Sequence, residues 1–362
     1  MKASVSMGLG RGFEPREVSI EAPIGREVLV AVRASGLCHS DVHLAQTDFG
    51  IPMPAVFGHE VAGVVLAVGS EVTTISVGDH VVACLVQYCG LCRECIAGRS
   101  FACINKAATL RAAGEPPRLT FGEGPLNQVY GIGGFAEQAL VHENQLAVVN
   151  KQIPFPQASI LGCGTVTGAG AVINSAQVRV GDTVAVVGTG GVGLNAISGA
   201  RLAGALRIIA IDIDDAKLRV AERFGATDTV NAAEMDPVHA VLELTGGVDH
   251  AFEVIGLEST QQQTIQMVRP GGGAYFVGLA KPDAKIELST SLPMLRAHTS
   301  VVGVHMGSTN LKHDIPMYAD LYVQGRLNLD DLISQEISLG DIDDAYDHLA
   351  RGGVIRSVVT SF

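Results

Sequence analysis

The hydrophobic rhythm of the chain changes near residue 180. Before that point, short apolar runs alternate with turn residues, as in Glu27 to Val32, Val61 to Val68 and Asp79 to Val86. Short Val-rich runs bounded by Gly and Asp predict strands. Val77-Gly78-Asp79 and Val180-Gly181-Asp182 each set Gly-Asp just ahead of such a run, a turn into a strand. The segment Ala107 to Gln128 carries Pro116, Pro117 and Pro125 and shows no period, which predicts a long loop.

Beyond residue 180, strand-like runs alternate with helical patterns. Strands are predicted at Thr183–Val187, Arg207–Asp212, Thr227–Val230, Val248–Val254, Ala274–Gly278 and Val301–Val304, and helices at Ala216–Phe224, Pro237–Leu244 and Ser259–Val268. Ser259 with Gln262 three residues on reads as a capping box. Strands that are apolar throughout belong to a parallel sheet covered on both faces. The tail after about residue 305 returns to mixed character and ends in the strand-like Ile355 to Val359, so it is expected to pack back onto the first part. The fold class predicted is α/β, a doubly wound parallel sheet joined to a discontinuous, mostly β domain.

Composition narrows the function. With 362 residues, 47% of them hydrophobic, the chain can build two cores. A charged fraction of 17% argues against disorder. The formal charge of -12 has the wrong sign for nucleic acid or an anionic membrane. No apolar run approaches the roughly 18 residues of a spanning helix, and Met1 to Arg11 has no apolar core of signal-peptide length. These features predict a soluble cytoplasmic protein with neither nucleic acid nor membrane as partner.

Four of the 7 cysteines, Cys89, Cys92, Cys95 and Cys103, follow the spacing C-x2-C-x2-C-x7-C. One loop with such spacings can present four thiolates to a tetrahedral zinc. An iron–sulfur cluster could use the same set, whereas a disulfide framework does not suit a chain this long. Cys38-His39-Ser40-Asp41, Gly58-His59-Glu60 and Leu161-Gly162-Cys163-Gly164 form a second constellation. Taken singly, Cys163 reads as a small buried hydrophobe and His59 as a satisfied histidine. Together, two thiolates and one imidazole make a three-donor zinc site with an open fourth position. Cys84, in the apolar run Val81 to Val86, reads as a buried thiol without a ligand role.

Val187-Gly188-Thr189-Gly190-Gly191-Val192-Gly193 follows a strand and opens a helix. Chance matches to a glycine pattern are common in a chain with 43 glycines, so the strand–helix context carries the argument. Gly188 allows the tight turn, Gly190 lets the backbone approach a pyrophosphate, and Gly193 lets helix and strand pack closely. Gly191 and Val192 begin a helix whose free N–H groups favour phosphate. Asp212 ends the second strand, 212 − 188 = 24 residues on, where an acid binds the adenosine ribose. Asp214 and Asp215 follow, with no cation before Lys217, so a 2′-phosphate would be repelled and NAD is favoured over NADP. A flavin site, or a vestigial loop in an ordinary α/β domain, is the competing reading.

In the order and content of these motifs the chain resembles, end to end, the zinc-dependent alcohol dehydrogenases of the medium-chain dehydrogenase/reductase superfamily. The resemblance implies a GroES-like catalytic domain of residues 1–165 and 305–362, with a zinc lobe at 84–108, and a Rossmann NAD-binding domain of 166–304. It implies two zinc ions per chain: a catalytic one on Cys38, His59 and Cys163, with Glu60 as an outer or alternative ligand and Asp41 orienting the histidine, and a structural one on Cys89, Cys92, Cys95 and Cys103. The reaction it implies is NAD-linked oxidation of alcohols to aldehydes or ketones, and the reverse. Zinc lowers the pKa of the alcohol, the alkoxide passes hydride to nicotinamide, and the proton leaves through Ser40 and His43. Thr167 would touch nicotinamide, Lys217 the adenosine ribose, and Arg356 the pyrophosphate.

Some positions depart from the family pattern. His39 stands where many relatives carry a pyrophosphate-binding Arg, which implies a weaker, pH-dependent hold on the cofactor. Ala107 and Phe49 stand where the glutathione-dependent formaldehyde dehydrogenases carry Arg and Asp, and His43 is present where that branch lacks the relay imidazole. These departures favour a simple alcohol or aldehyde in an apolar pocket lined in part by Phe49 and Leu85. The long loop before Gly131-Ile132-Gly133-Gly134-Phe135 resembles that of dimeric members, and a homodimer or homotetramer is expected. The rival readings are a formaldehyde dehydrogenase using another thiol, a nicotinoprotein with permanently bound NAD, and a non-catalytic zinc and nucleotide-binding protein.

Overall fold

The computed structural model describes residues 1–288, 297–351 and 354–362. The chain divides into two compact units, Met1–Gly164 with Asn310–Phe362, and Thr165–Thr309.

The first unit is built on β-sheet, as its short apolar runs predict. One seven-stranded sheet has Glu27–Gly36 at its centre, buried along almost its whole length. It pairs antiparallel with Glu60–Val68, with Gln138–His142 and with the C-terminal strand Ser357–Ser361. The tail therefore completes the sheet begun by the N-terminal half. The register matters for chemistry. Pairing Gly36 with Glu60 places Cys38, two residues past the end of one strand, beside His59, one residue before the start of the other. Val28, Val30, Val32, Val61, Val65 and Val81 fill the core beneath this sheet.

The second unit holds a six-stranded, all-parallel sheet. Thr183–Val187, Arg207–Asp212, Asp228–Asn231, Val248–Glu253, Val268–Phe276 and Ser300–Gly303 stand in spatial order 3-2-1-4-5-6. The alternation of apolar runs and helices predicts this doubly wound arrangement, whose order reverses beside the first strand. Helix Gly191–Ala203 leaves that strand and ends at Gly204 in the left-handed region. The central strands are buried because helices cover them: Val184 to Val187 and Ile208 to Ile211 are all in the core.

Three local expectations need correction. The segment Ala107 to Gln128 is not one long loop: Leu119–Phe121 and Gly124–Gln128 form an antiparallel hairpin, with Pro125 second in its strand, next to the turn. Ser259 is not a cap, since the helix is Glu258–Gln266, its N-cap is Leu257, and Ser259 lies inside the first turn. The strand expected over Asp79 to Val86 is shorter, His80–Ala83, so Cys84 lies just beyond it. Among the described residues no helix is long and apolar enough to cross a membrane.

Candidate functional site

Cys38 caps the N-terminus of helix His39–Gln46, and the helix turns Asp41 back beneath it. Asp41 is completely buried, and its carboxylate ties two segments together, its own helix start and Gly58-His59. Oδ1 accepts the Gly58 N–H at 3.1 Å and faces His59 Nδ1 at 3.0 Å, while the Cys38 N–H points to Oδ2 at 3.4 Å. A proton on Nδ1 satisfies Asp41 and leaves the Nε2 lone pair free to bind a metal. Nε2 lies 3.3 Å from Cys163 Sγ. Cys163 comes from a wider, π-type turn, Leu161–Thr165, that continues helix Phe155–Ile160.

The donor atoms of Cys38, His59, Glu60 and Cys163 all lie within 4.8 Å of one another, and all four residues are buried. Arg356 is buried with them, its Nη2 3.1 Å from Glu60 Oε1 and its Nη1 donating to Leu37 O at 3.1 Å. Neither Glu60 oxygen has a hydrogen-bond partner, because the Arg356 contact lacks hydrogen-bond alignment. Two buried carboxylate oxygens without a donor fit a site that takes a cation.

Protonation follows from this crowding. The hydrogen bond from Cys163 holds the Cys38 thiol well below its usual pKa, against the opposing effect of burial. The same bond, with burial, pushes Cys163 well above its usual value. For His59, burial opposes the charge, but Asp41 and the Cys38 sulfur outweigh it and raise the pKa. Burial pushes Glu60 up to about 7, with Arg356 opposing. A dication among these donors would displace thiol protons, as a metal does at any thiolate site.

The four-cysteine lobe is local. Cys89, Cys92, Cys95 and Cys103 set their sulfurs 3.5 to 4.0 Å apart along four of the pairs, and all four lie within 4.8 Å. Four sulfurs bound tetrahedrally at about 2.3 Å from one zinc stand about 3.8 Å apart, so the arrangement fits the ion. The N–H groups of Leu91 and Cys92 point at Cys89 Sγ, and those of Cys89 and Asn105 at Cys103 Sγ. Backbone N–H groups of Cys95 and Ile104 bring the Cys92 thiol down to about 6. All seven cysteines are free thiols.

In the second unit, Gly188 has φ +99° and ends the first strand of the parallel sheet. A Cβ on Gly193 would stand 1.9 Å from Gly188 O, whereas one on Gly190 would meet nothing within 4 Å. The loop is therefore packed tight at Gly193 and open at Gly190, the side on which a pyrophosphate would approach Gly191 and Val192. Asp212 at the end of the second strand turns its carboxylate onto this loop, bonding Thr189. Lys217 is half-buried in the first turn of helix Asp215–Phe224, and Thr167 is buried with Oγ1 3.5 Å from Met306 Sδ.

Of the remaining predicted residues, Ser40 and His43 lie half-buried, three positions apart on one helix, and His39 is exposed. The His43 ring stands 6.1 Å from that of Phe49. Arg356, expected at a pyrophosphate, is 3% exposed and directed at Glu60. Cys84 is buried, belongs to neither cluster, and has its thiol pushed up to about 12 by burial. Sequence reasoning passed over Tyr130, whose ring packs edge-on 5.7 Å from His59 with a backbone φ of +56°. Only its position just before the glycine run could have drawn notice.

Comparison with known proteins agrees with this geometry. A family model described as alcohol dehydrogenase GroES-like domain matches residues 25–154, and one described as zinc-binding dehydrogenase matches 191–324. The chain is 35% identical to the S-(hydroxymethyl)glutathione dehydrogenase of Synechocystis sp., over 99% of both chains. It is 36% identical to the NDMA-dependent alcohol dehydrogenase of Amycolatopsis methanolica, over 99% of this chain and 98% of that one. The crystal structure of benzyl alcohol dehydrogenase from Acinetobacter calcoaceticus superposes with a TM-score of 0.94 at 32% identity, covering 100% of this chain and 99% of that one. The chain belongs to the zinc-dependent alcohol dehydrogenases of the medium-chain dehydrogenase/reductase superfamily.

Proposed function

We propose that the chain oxidises alcohols to aldehydes or ketones, and reduces them in reverse, with zinc and NAD. The observation that carries the reading is the buried cluster of Cys38, His59, Glu60 and Cys163, whose carboxylate oxygens have no hydrogen-bond partner. When bound, zinc supplies Lewis acidity toward an alcohol oxygen and NAD accepts the hydride.

The chain's own residues do the rest. Cys38, His59 and Cys163 offer three donors and leave one position for substrate. Asp41 fixes the His59 ring and its tautomer. Arg356 balances the negative charge of Glu60 and the sulfurs. Ser40 takes the proton from the alcohol, and His43, one helical turn on, hands it toward solvent. Gly188, Gly190 and the start of helix Gly191–Ala203 receive the pyrophosphate, and Asp212 the adenosine ribose. Two zinc ions per chain follow from the two clusters. A reducing cytoplasm suits the free thiols, and a homodimer or homotetramer is the assembly expected.

A second reading, in which NAD stays bound and an external acceptor recycles it, is favoured by the likeness to an NDMA-dependent alcohol dehydrogenase. A thiol-dependent formaldehyde oxidation is favoured by the likeness to S-(hydroxymethyl)glutathione dehydrogenases, although Ala107 and Phe49 supply no charge for such a carrier. One experiment separates the three: metal analysis together with NADH formation across simple alcohols, benzyl alcohol and S-(hydroxymethyl)glutathione. The proposal expects about two zinc per chain and turnover of a simple alcohol with added NAD. Zinc-loaded protein that turns over only in the presence of a thiol, or NAD that survives gel filtration, would favour one of the rivals. Zinc-loaded protein that reduces NAD with none of them would end the proposal.

A further inference from the structure

The carboxylate of Asp212 is gripped by four donors of its own chain. Oδ2 accepts the Thr189 N–H at 2.8 Å and the Thr189 hydroxyl at 2.9 Å. Oδ1 accepts the N–H of Ile213 at 2.8 Å and that of Asp214 at 3.3 Å. Three of the four are backbone groups that any residue but proline would supply. The fourth is a property of the side chain at position 189, between Gly188 and Gly190.

Thr189 is 1% exposed, so its hydroxyl cannot turn to water and its bond to a charged acceptor is of the stronger kind. Asp212 itself is half-buried, with part of its surface open at the end of the strand. Without the hydroxyl, Oδ2 keeps the single backbone donor of Thr189, and an oxygen with one donor turns away more readily than one with two. A fixed carboxylate meets a pair of ribose hydroxyls without reorganising, and it cannot move aside for a 2′-phosphate.

We infer that Thr189 is a positioning residue for the adenosine ribose, fixing Asp212 so that NAD is bound and NADP refused. The inference rests on the proposed NAD-linked function. It adds a residue that touches the acid and not the reacting atoms.

The test is direct titration of NADH and NADPH into wild type, Thr189→Val, Thr189→Ser and Asp212→Asn, followed by cofactor fluorescence. Thr189→Val keeps the shape and removes the donor. It should weaken NADH roughly tenfold while leaving NADPH within about twofold, so that the preference contracts. Thr189→Ser should restore wild-type values, which separates the hydroxyl from any packing role. If Asp212→Asn loses NADH but Thr189→Val does not, the acid works without the hydroxyl and the inference falls alone. Equal losses in the Val and Ser variants would assign the effect to the missing methyl or shape, and also overturn it. Wild type that prefers NADPH, or Asp212→Asn that binds NADH unchanged, would remove the acid from the cofactor site, taking the NAD reading and this inference together.

Discussion

The two cysteine clusters solve opposite problems. Cys89, Cys92, Cys95 and Cys103 come from 15 consecutive residues (89 to 103), and their sulfurs are held mainly by neighbouring backbone N–H groups. The lobe around them has little interior of its own: Leu91, Ile96 and Ile104 are 82%, 77% and 81% exposed. A segment that buries so little apolar surface depends on its ion for order. Cys38, His59 and Cys163 come from three distant stretches and are brought together by strand register, a helix cap and the buried Asp41. In the lobe the metal would hold the chain, whereas in the second cluster the chain would hold the metal.

That contrast can be broken by experiment. The largest effect is expected from His59→Ala, which removes a donor from the prebuilt cluster. kcat/KM should fall by about a thousandfold or more, several kcal/mol of transition-state stabilisation, with the four-cysteine lobe keeping its zinc and its resistance to protease. A comparable loss of fold would erase the distinction between the clusters. Cys103→Ser should do the reverse, lowering stability toward urea by about 3 kcal/mol and opening the lobe to protease, while the other site keeps its zinc. Unaltered cleavage in the lobe would show that its order does not need the ion. Asp41→Asn should weaken metal at the second cluster alone by about 10- to 100-fold, measured by competition with a chelator. Equal weakening at both clusters would point to a general loss of fold. The smallest effect separates the thiols themselves. In metal-stripped protein, Cys92, in a lobe its ion no longer orders, should be alkylated readily, while buried Cys163 stays unmodified. Matching rates at the two cysteines would contradict the burial that distinguishes them.

The same contrast explains what could be read from the sequence. The lobe declares itself by spacing because its geometry is local. The parallel sheet is legible because its central strands are buried on both faces and so are apolar, as Val184 to Val187 illustrate. The glycine-rich loop is legible because Gly188 and Gly193 answer to steric limits within seven residues of chain. The second cluster has no spacing of its own: its donor types suggested a three-donor zinc site, and the family resemblance gave each residue its role. What stayed hidden depends on side-chain direction. Nothing in the sequence says that Arg356 turns toward Glu60, or that the Thr189 hydroxyl points at Asp212. The hairpin at Leu119–Phe121 and Gly124–Gln128 was hidden because proline signals a break wherever it falls, although a strand's first positions accept it. Ser259 misled because a serine inside a first turn looks, in sequence, like one just before it.

Gly193 has no room for even one methyl group above Gly188 O. An alanine there would have to lift the start of helix Gly191–Ala203 off its strand, and the amide groups that face a phosphate would travel with it. Architecture and cofactor affinity are therefore one trait at this residue. A survey of substitutions here would find no variant that alters grip on the nucleotide while sparing the domain's integrity, and affinity must be tuned from positions around it.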